Sequence, residues 1–231
     1  MSTPALPDGR HGRAVDADGA SPAGDQEALF AEPAGARRPP RRRVVLLTGP
    51  SGSGKTSMVR RLGLPVLALD DFYRDGDEPG LPHRFGIVDW DDPGSWDAGR
   101  ALVALERLCR EGEAAVPVYD IPTSRRTGTV HLSVGTAPVV VAEGIFAADL
   151  VAACRERALL ADAICLQRPL AVTFTFRLLR DLAESRKPPH VLVRRGLGLA
   201  RAEPALVRRW TDLGCRPLAV AEAEAAVRAL L

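Results

Sequence analysis

No stretch of this chain approaches the roughly 18 consecutive apolar residues that cross a membrane, so no membrane partner is expected. Lysine is nearly absent: Lys55 and Lys187 stand against 29 arginines, which makes each lysine informative. The 31 basic and 29 acidic residues leave a net charge of +2. That balance argues against a nucleic-acid partner held by bulk charge. Cysteine is scarce too. Cys109, Cys154, Cys165 and Cys215 stand far apart with no CxxC pair, which excludes a disulfide framework and a thiolate zinc site. The spacing predicts reduced, mostly buried thiols.

What is present is a core. Hydrophobic residues make up 46% of the 231 positions, enough for one domain with a tail. Residues 1–43 hold six prolines, five glycines, seven arginines, six acids and one aromatic residue, Phe30. Such a segment buries too little apolar area to offset ordering entropy, so a disordered tail is expected there. The run Arg37, Arg38, Arg41, Arg42, Arg43 reads as its solvated end. The tail has no apolar h-region, and its acids argue against a transit peptide, so the expected location is the cytoplasm.

The expected domain spans residues 44–231. Short apolar runs alternate with helical patterns, which predicts a parallel sheet covered by helices on both faces. Strands are expected at Val44–Thr48, Pro65–Leu69, Ala115–Tyr119, Pro138–Ala142 and Ala163–Gln167, with Thr129–Val134 as half of an exposed hairpin. Helices are expected at Ser53–Leu62, Trp96–Arg110, Phe146–Leu160, Leu170–Ser185, Pro204–Leu213 and Leu218–Leu231.

The strongest signal is GPSGSGKT, Gly49 to Thr56, which satisfies GxxxxGK[ST] between a buried strand and a helix. Gly49, Gly52 and Gly54 let the backbone N–H groups fold around phosphates, with Pro50, Ser51 and Ser53 completing the loop. The helix N-terminus adds a favourable dipole at Lys55, Thr56 and Ser57. Lys55 is a flexible cation for the β- and γ-phosphates of ATP, and the Thr56 hydroxyl is a candidate Mg²⁺ ligand. Two further strands end in acids. The PVLAL strand runs into Asp70 and Asp71, and one of these is expected to accept the proton of an attacking hydroxyl. PVVVA runs into Glu143, the expected second-strand acid that orders Mg²⁺.

Taken together, these segments resemble the uridine kinase family of P-loop kinases over about Val44 to Lys187. Asp70-Asp71-Phe72-Tyr73 is similar to the family's D-x-F-Y, which implies Asp70 as base and Tyr73 near the acceptor. Trp90-Asp91-Asp92-Pro93 is similar to F-D-H-P, which gives Asp91 the ribose hydroxyls. Pro117-Val118-Tyr119-Asp120 is similar to the acceptor-side P-x-Y-D, and Glu143-Gly144-Ile145 matches E-G-I. Arg177-Leu178-Leu179-Arg180-Asp181 is similar to the lid helix, which gives Arg177 and Arg180 to the transferred phosphate. Ser124 stands where the family has a histidine, and Ile121 where it has an aromatic ring. Ser124 and Arg126 complete the expected acceptor side.

The resemblance implies a P-loop NTPase fold with a helical lid. It implies ATP- and Mg²⁺-dependent phosphorylation of a hydroxyl on a small molecule, a nucleoside in the first instance. The competing readings are a kinase for another small alcohol or riboside, and a nucleotide-binding regulator without catalysis. Asp70, Asp91 and Tyr119 argue against the regulator, because a switch needs no second pocket. Whether identical chains assemble into a homo-oligomer is left open.

Overall fold

The apolar run after the tail is the centre of the sheet, and its neighbours are read from the register. In the computed structural model, which describes residues 39–84, 86–169, 172, 173, 175 and 203–231, strand β1 is Arg43–Thr48. It pairs in parallel with β7 (Val139–Glu143) on one side and β8 (Leu160–Gln167) on the other. β2 (Val66–Ala68) adds beyond β7, and β9 (Arg216–Ala219) beyond β8. The order is β2-β7-β1-β8-β9. This is the central parallel sheet of an α/β P-loop NTPase fold.

Alternation along the strands feeds two cores, one on each face. Val44 and Leu46 of β1 face Leu105 and Leu108 of helix α2 (Ala98–Arg110) and Val151 and Cys154 of α3 (Val151–Glu156). Val45 and Leu47 face Met58 and Val59 of α1 (Lys55–Leu62), together with Ala223 and Val227 of α5 (Val220–Arg228). A further helix, α4, covers residues 203–212 and buries Trp210 in the first core. All four cysteines are buried and free. Burial pushes the thiols of Cys109, Cys154 and Cys215 up to about 12 and that of Cys165 to about 11, so they are protonated packing groups.

Between β2 and β7 the chain makes one long excursion. It holds the two-residue strands β3 (His83–Arg84) and β4 (Ile87–Val88), then α2, then the hairpin of β5 (Glu113–Asp120) and β6 (Arg125–Ser133). β6 alternates between half-buried and exposed, as expected of a hairpin with one covered face.

Several expectations are corrected. Phe146–Leu160 is not one helix: a 3₁₀ turn at Ala147–Leu150 leads into the short α3, and Leu160 already starts β8. Leu218–Leu231 is not one helix either, because β9 precedes α5. α1 starts at Lys55, not Ser53, since Gly54 is left-handed at φ 92°. α2 starts at Ala98, after Asp97 accepts from the Arg100 N–H as N-cap. β1 starts at Arg43, and the N–H groups of Arg41 and Arg42 both donate to Cys109 O at 3.1 Å. Residues 1–38 of the expected tail lie outside the described residues. So do Arg177, Arg180 and most of the expected lid helix Leu170–Ser185.

Candidate active site

The P-loop lies where β1 ends and α1 begins, at the carboxyl edge of the sheet. Ser51, Gly52, Gly54, Lys55, Thr56 and Ser57 line a cavity of ≈ 290 Å³. The Lys55 ammonium donates to Gly49 O at 2.7 Å and to Pro50 O at 3.3 Å, so the loop's own carbonyls hold it at the cavity wall. Ser53 is fully buried inside the loop and does not line the cavity; its N–H donates to Pro50 O at 3.1 Å.

Register brings Glu143 to the same place. Glu143 pairs with Leu47 of β1 and Ala68 of β2. The Thr56 hydroxyl donates to Glu143 Oε1 at 3.0 Å and lies 3.3 Å from Oε2. A hydroxyl beside a carboxylate is the hard-oxygen donor set that Mg²⁺ takes, so Thr56 and Glu143 are the residues that would hold that ion. Burial raises the Glu143 carboxyl above its ordinary value; Lys55 and the Thr56 hydrogen bond oppose this, and nearby Asp70 adds to it.

Asp70 does not end a strand. It sits on a 3₁₀ turn, Leu69–Phe72, so strand alternation is not what separates it from Asp71. Asp70 lines the P-loop cavity and Asp71 does not. Although solvent reaches Asp70 from the open side, the surrounding protein raises its carboxyl, and Lys55 opposes that shift. The turn is clamped from outside. Trp96 Nε1–H donates to Leu69 O at 2.8 Å, the Asp97 N–H donates to Phe72 O at 2.9 Å, and the Trp96 ring stacks on Phe146 at 5.3 Å.

The expected acceptor residues gather beyond Asp70. Tyr73 follows the turn, and its hydroxyl donates to Trp90 O at 3.2 Å. Its ring meets those of Trp90 at 5.5 Å and Tyr119 at 5.7 Å. Burial raises the Tyr73 hydroxyl, and the charges of Asp70 and Asp91 raise it further, so both carboxylates act on Tyr73. The Tyr119 hydroxyl donates to Arg74 O at 3.1 Å. Ser124 bends the β5–β6 tip at φ 52° and lines a second cavity of ≈ 490 Å³ with Trp90 and His83. Arg126 is engaged inside the protein: its backbone N–H and Nε donate to Asp75 Oδ1 at 2.8 and 3.2 Å, and it pairs with Glu78.

Two features were not legible in advance. His83 supplies an imidazole to the cavity where position 124 has none. Its Nδ1–H donates to Leu81 O at 2.8 Å, which leaves Nε2 as the acceptor of the neutral ring. Gly144 is the other: a Cβ there would lie 2.8 Å from Leu69 Cβ and 3.3 Å from Asp70 Oδ1. The absence of a side chain lets the Asp70 turn pack onto the end of β7.

No family model matches the chain. The uridine kinase of Borreliella burgdorferi (strain ZS7) is 30% identical over 148 residues, covering 62% of this chain and 68% of that protein. The uridine kinase of Leuconostoc citreum (strain KM20) is 31% identical over 150 residues, covering 61% of this chain and 69% of that protein. Among solved structures, YFH7 from Saccharomyces cerevisiae, described as a P-loop containing kinase with a circular permutation, superposes with a TM-score of 0.51 at 12% identity. It covers 78% of this chain and 93% of its own, a likeness of fold. Among the described residues no helix is long and apolar enough to cross a membrane. Identity at this level over two thirds of the curated relatives, on the fold that carries the P-loop, places the chain in the uridine kinase-like family of P-loop small-molecule kinases.

Proposed function

We propose that the chain transfers the γ-phosphoryl group of ATP to a hydroxyl of a small riboside-like or polyhydroxy acceptor, and that uridine and cytidine are poor acceptors. The observation that carries this is the convergence of Lys55, Thr56, Glu143 and Asp70 on one cavity. The P-loop N–H groups and Lys55 hold the phosphates, and Thr56 and Glu143 would hold Mg²⁺, which when bound neutralises charge on the phosphate oxygens. Asp70 orients the acceptor hydroxyl and takes its proton. Positioning and electrostatics do the rest, since phosphoryl transfer asks little covalent chemistry of the protein.

The acceptor's diol is assigned to Asp91, with Tyr73 and Tyr119 as walls. Its head group extends toward the cavity of Trp90, His83 and Ser124. Serine is shorter than the histidine that the family places at this point, and the exposed Ile121 offers no ring to stack on. A missing buried hydrogen bond costs roughly 1–3 kcal/mol and a missing aromatic contact roughly 0.5–1.5 kcal/mol. Together they correspond to about ten- to a thousandfold in kcat/KM. Incubation with ATP–Mg²⁺ and a pooled nucleoside and alcohol library, followed by kinetics on whatever gains a phosphate, tests the reading. A different or smaller head group should win. A kcat/KM for uridine above ~10⁵ M⁻¹s⁻¹ would show that the pocket reads uracil after all. Nucleotide binding without transfer to any pool member would favour the regulator.

A further inference from the structure

The two flanks of the P-loop differ. On the β7 side stand Thr56, Glu143 and Asp70, where the phosphoryl group is transferred. On the β8 side the strand ends at Gln167, and the next residue, Arg168, turns over the loop. A Cβ built on Gly54 would lie 3.1 Å from Arg168 Nη2, 3.4 Å from Cζ and 3.6 Å from Nε. An in-plane approach from that edge would leave Cζ the farthest of the three atoms. With Cζ nearer than Nε, Gly54 lies over the flat face of the guanidinium.

Arg168 also walls a cavity of ≈ 290 Å³ beyond the loop, with Glu203, Pro204 and Val207 of α4. Glu203 is 7% exposed. A phosphoryl donor is linear. With its γ-phosphate directed at Asp70 on the β2–β7 side, its other end leaves across β1 toward β8. That end meets Arg168 first and this cavity next.

We propose that Arg168 is a donor-binding residue whose guanidinium is a flat cationic wall for the nucleobase, seated against Pro204 and Val207. The Glu203 carboxylate is the acceptor for a ring amino group. A planar guanidinium stacks on a base face, and an ammonium does not. This inference rests on the ATP reading above, so its test separates the two.

Calorimetry on the full chain would compare Mg²⁺–ATP with Mg²⁺–tripolyphosphate, which carries the phosphates without a base. Wild type should bind ATP more tightly than tripolyphosphate. Arg168→Ala should weaken ATP about tenfold and change tripolyphosphate less than twofold. Arg168→Lys, which keeps the charge and loses the plane, should remain as weak for ATP as the alanine variant. Retained tripolyphosphate binding shows that the variants are folded at the loop. Unchanged ATP affinity, equal losses for both ligands, or full rescue by lysine would each overturn the proposal. A wild type that binds tripolyphosphate but gains nothing from the base would overturn it while leaving phosphate binding intact. A wild type that binds neither would overturn the ATP reading, and this one with it.

Discussion

Gly144 and Leu69 approach so closely that a methyl group on Gly144 would stand 2.8 Å from the Leu69 Cβ. The two residues join the end of β7 to the turn that carries Asp70, so the spacing between Glu143 and Asp70 depends on a missing side chain. Gly144→Ala should destabilise by about 1–3 kcal/mol, the usual cost of overpacking. It should also lower kcat more than it raises KM for ATP. Thermal melts and steady-state kinetics check this; an unchanged kcat would mean that the turn relaxes without moving Asp70.

Asp70→Asn should lower kcat by about 10²–10⁴-fold with ATP affinity retained. Its stability effect has the opposite sign. Because burial raises the folded carboxyl above its ordinary 3.8, the folded state holds the proton more tightly. Stability therefore falls as pH rises from near that value through the raised one. The asparagine variant escapes this, so its Tm advantage should be absent at lower pH and grow toward neutrality. Melting curves across that range decide it. A constant difference would contradict the assignment.

Glu106 is 1% exposed and receives two arginines, Arg110 Nε at 2.9 Å and Arg157 Nη1 at 2.7 Å. Removing the carboxylate leaves two partly buried cations without it. Glu106→Ala should cost about 3–5 kcal/mol, read by denaturant unfolding, with the kcat of the folded fraction intact. A loss below 1 kcal/mol would show that water replaces the carboxylate at little cost.

A chain beginning at Pro40 should keep its kcat and Tm, and one beginning at Val44 should not. The second cut removes the Arg41 and Arg42 N–H bonds to Cys109 O and the Arg42 Nη2 bond to Gly135 O at 2.6 Å. Equal melting temperatures for the two would show that these contacts carry no stability. A large loss in the first would show that earlier residues contribute to the domain.

The central strands were legible because their runs are continuous, apolar and buried on both faces, as at Val44–Leu47 and Val139–Ala142. β9 was not. Its RPLA is four residues at a sheet edge and contains a proline, which no strand pattern favours. The break after α3 was hidden for another reason: Ala158 takes the left-handed conformation at φ 57°, where a glycine would have announced the stop. The P-loop and Glu143 were readable from local motifs. The choice of Asp70 over Asp71 came from the D-x-F-Y resemblance, and it is a 3₁₀ turn, not a strand end, that carries the two acids. His83 and Arg168 matter through contacts with residues distant in sequence that no local pattern marks, and the E-G-I match names Gly144 without revealing its approach to Leu69.

Every residue proposed for the acceptor side, from Tyr73 to Arg126, falls within the single excursion between β2 and β7. The phosphate loop, Glu143 and Arg168 all lie outside it. Asp70 stands at its entrance, on the turn that follows β2, and Glu143 at its exit, at the end of the neighbouring β7. The excursion is thus a cassette with fixed ends. On the proposed reading, replacing its interior should alter the acceptor while the donor residues keep their register. A chimera that carries another kinase's segment between these two acids should inherit that kinase's acceptor.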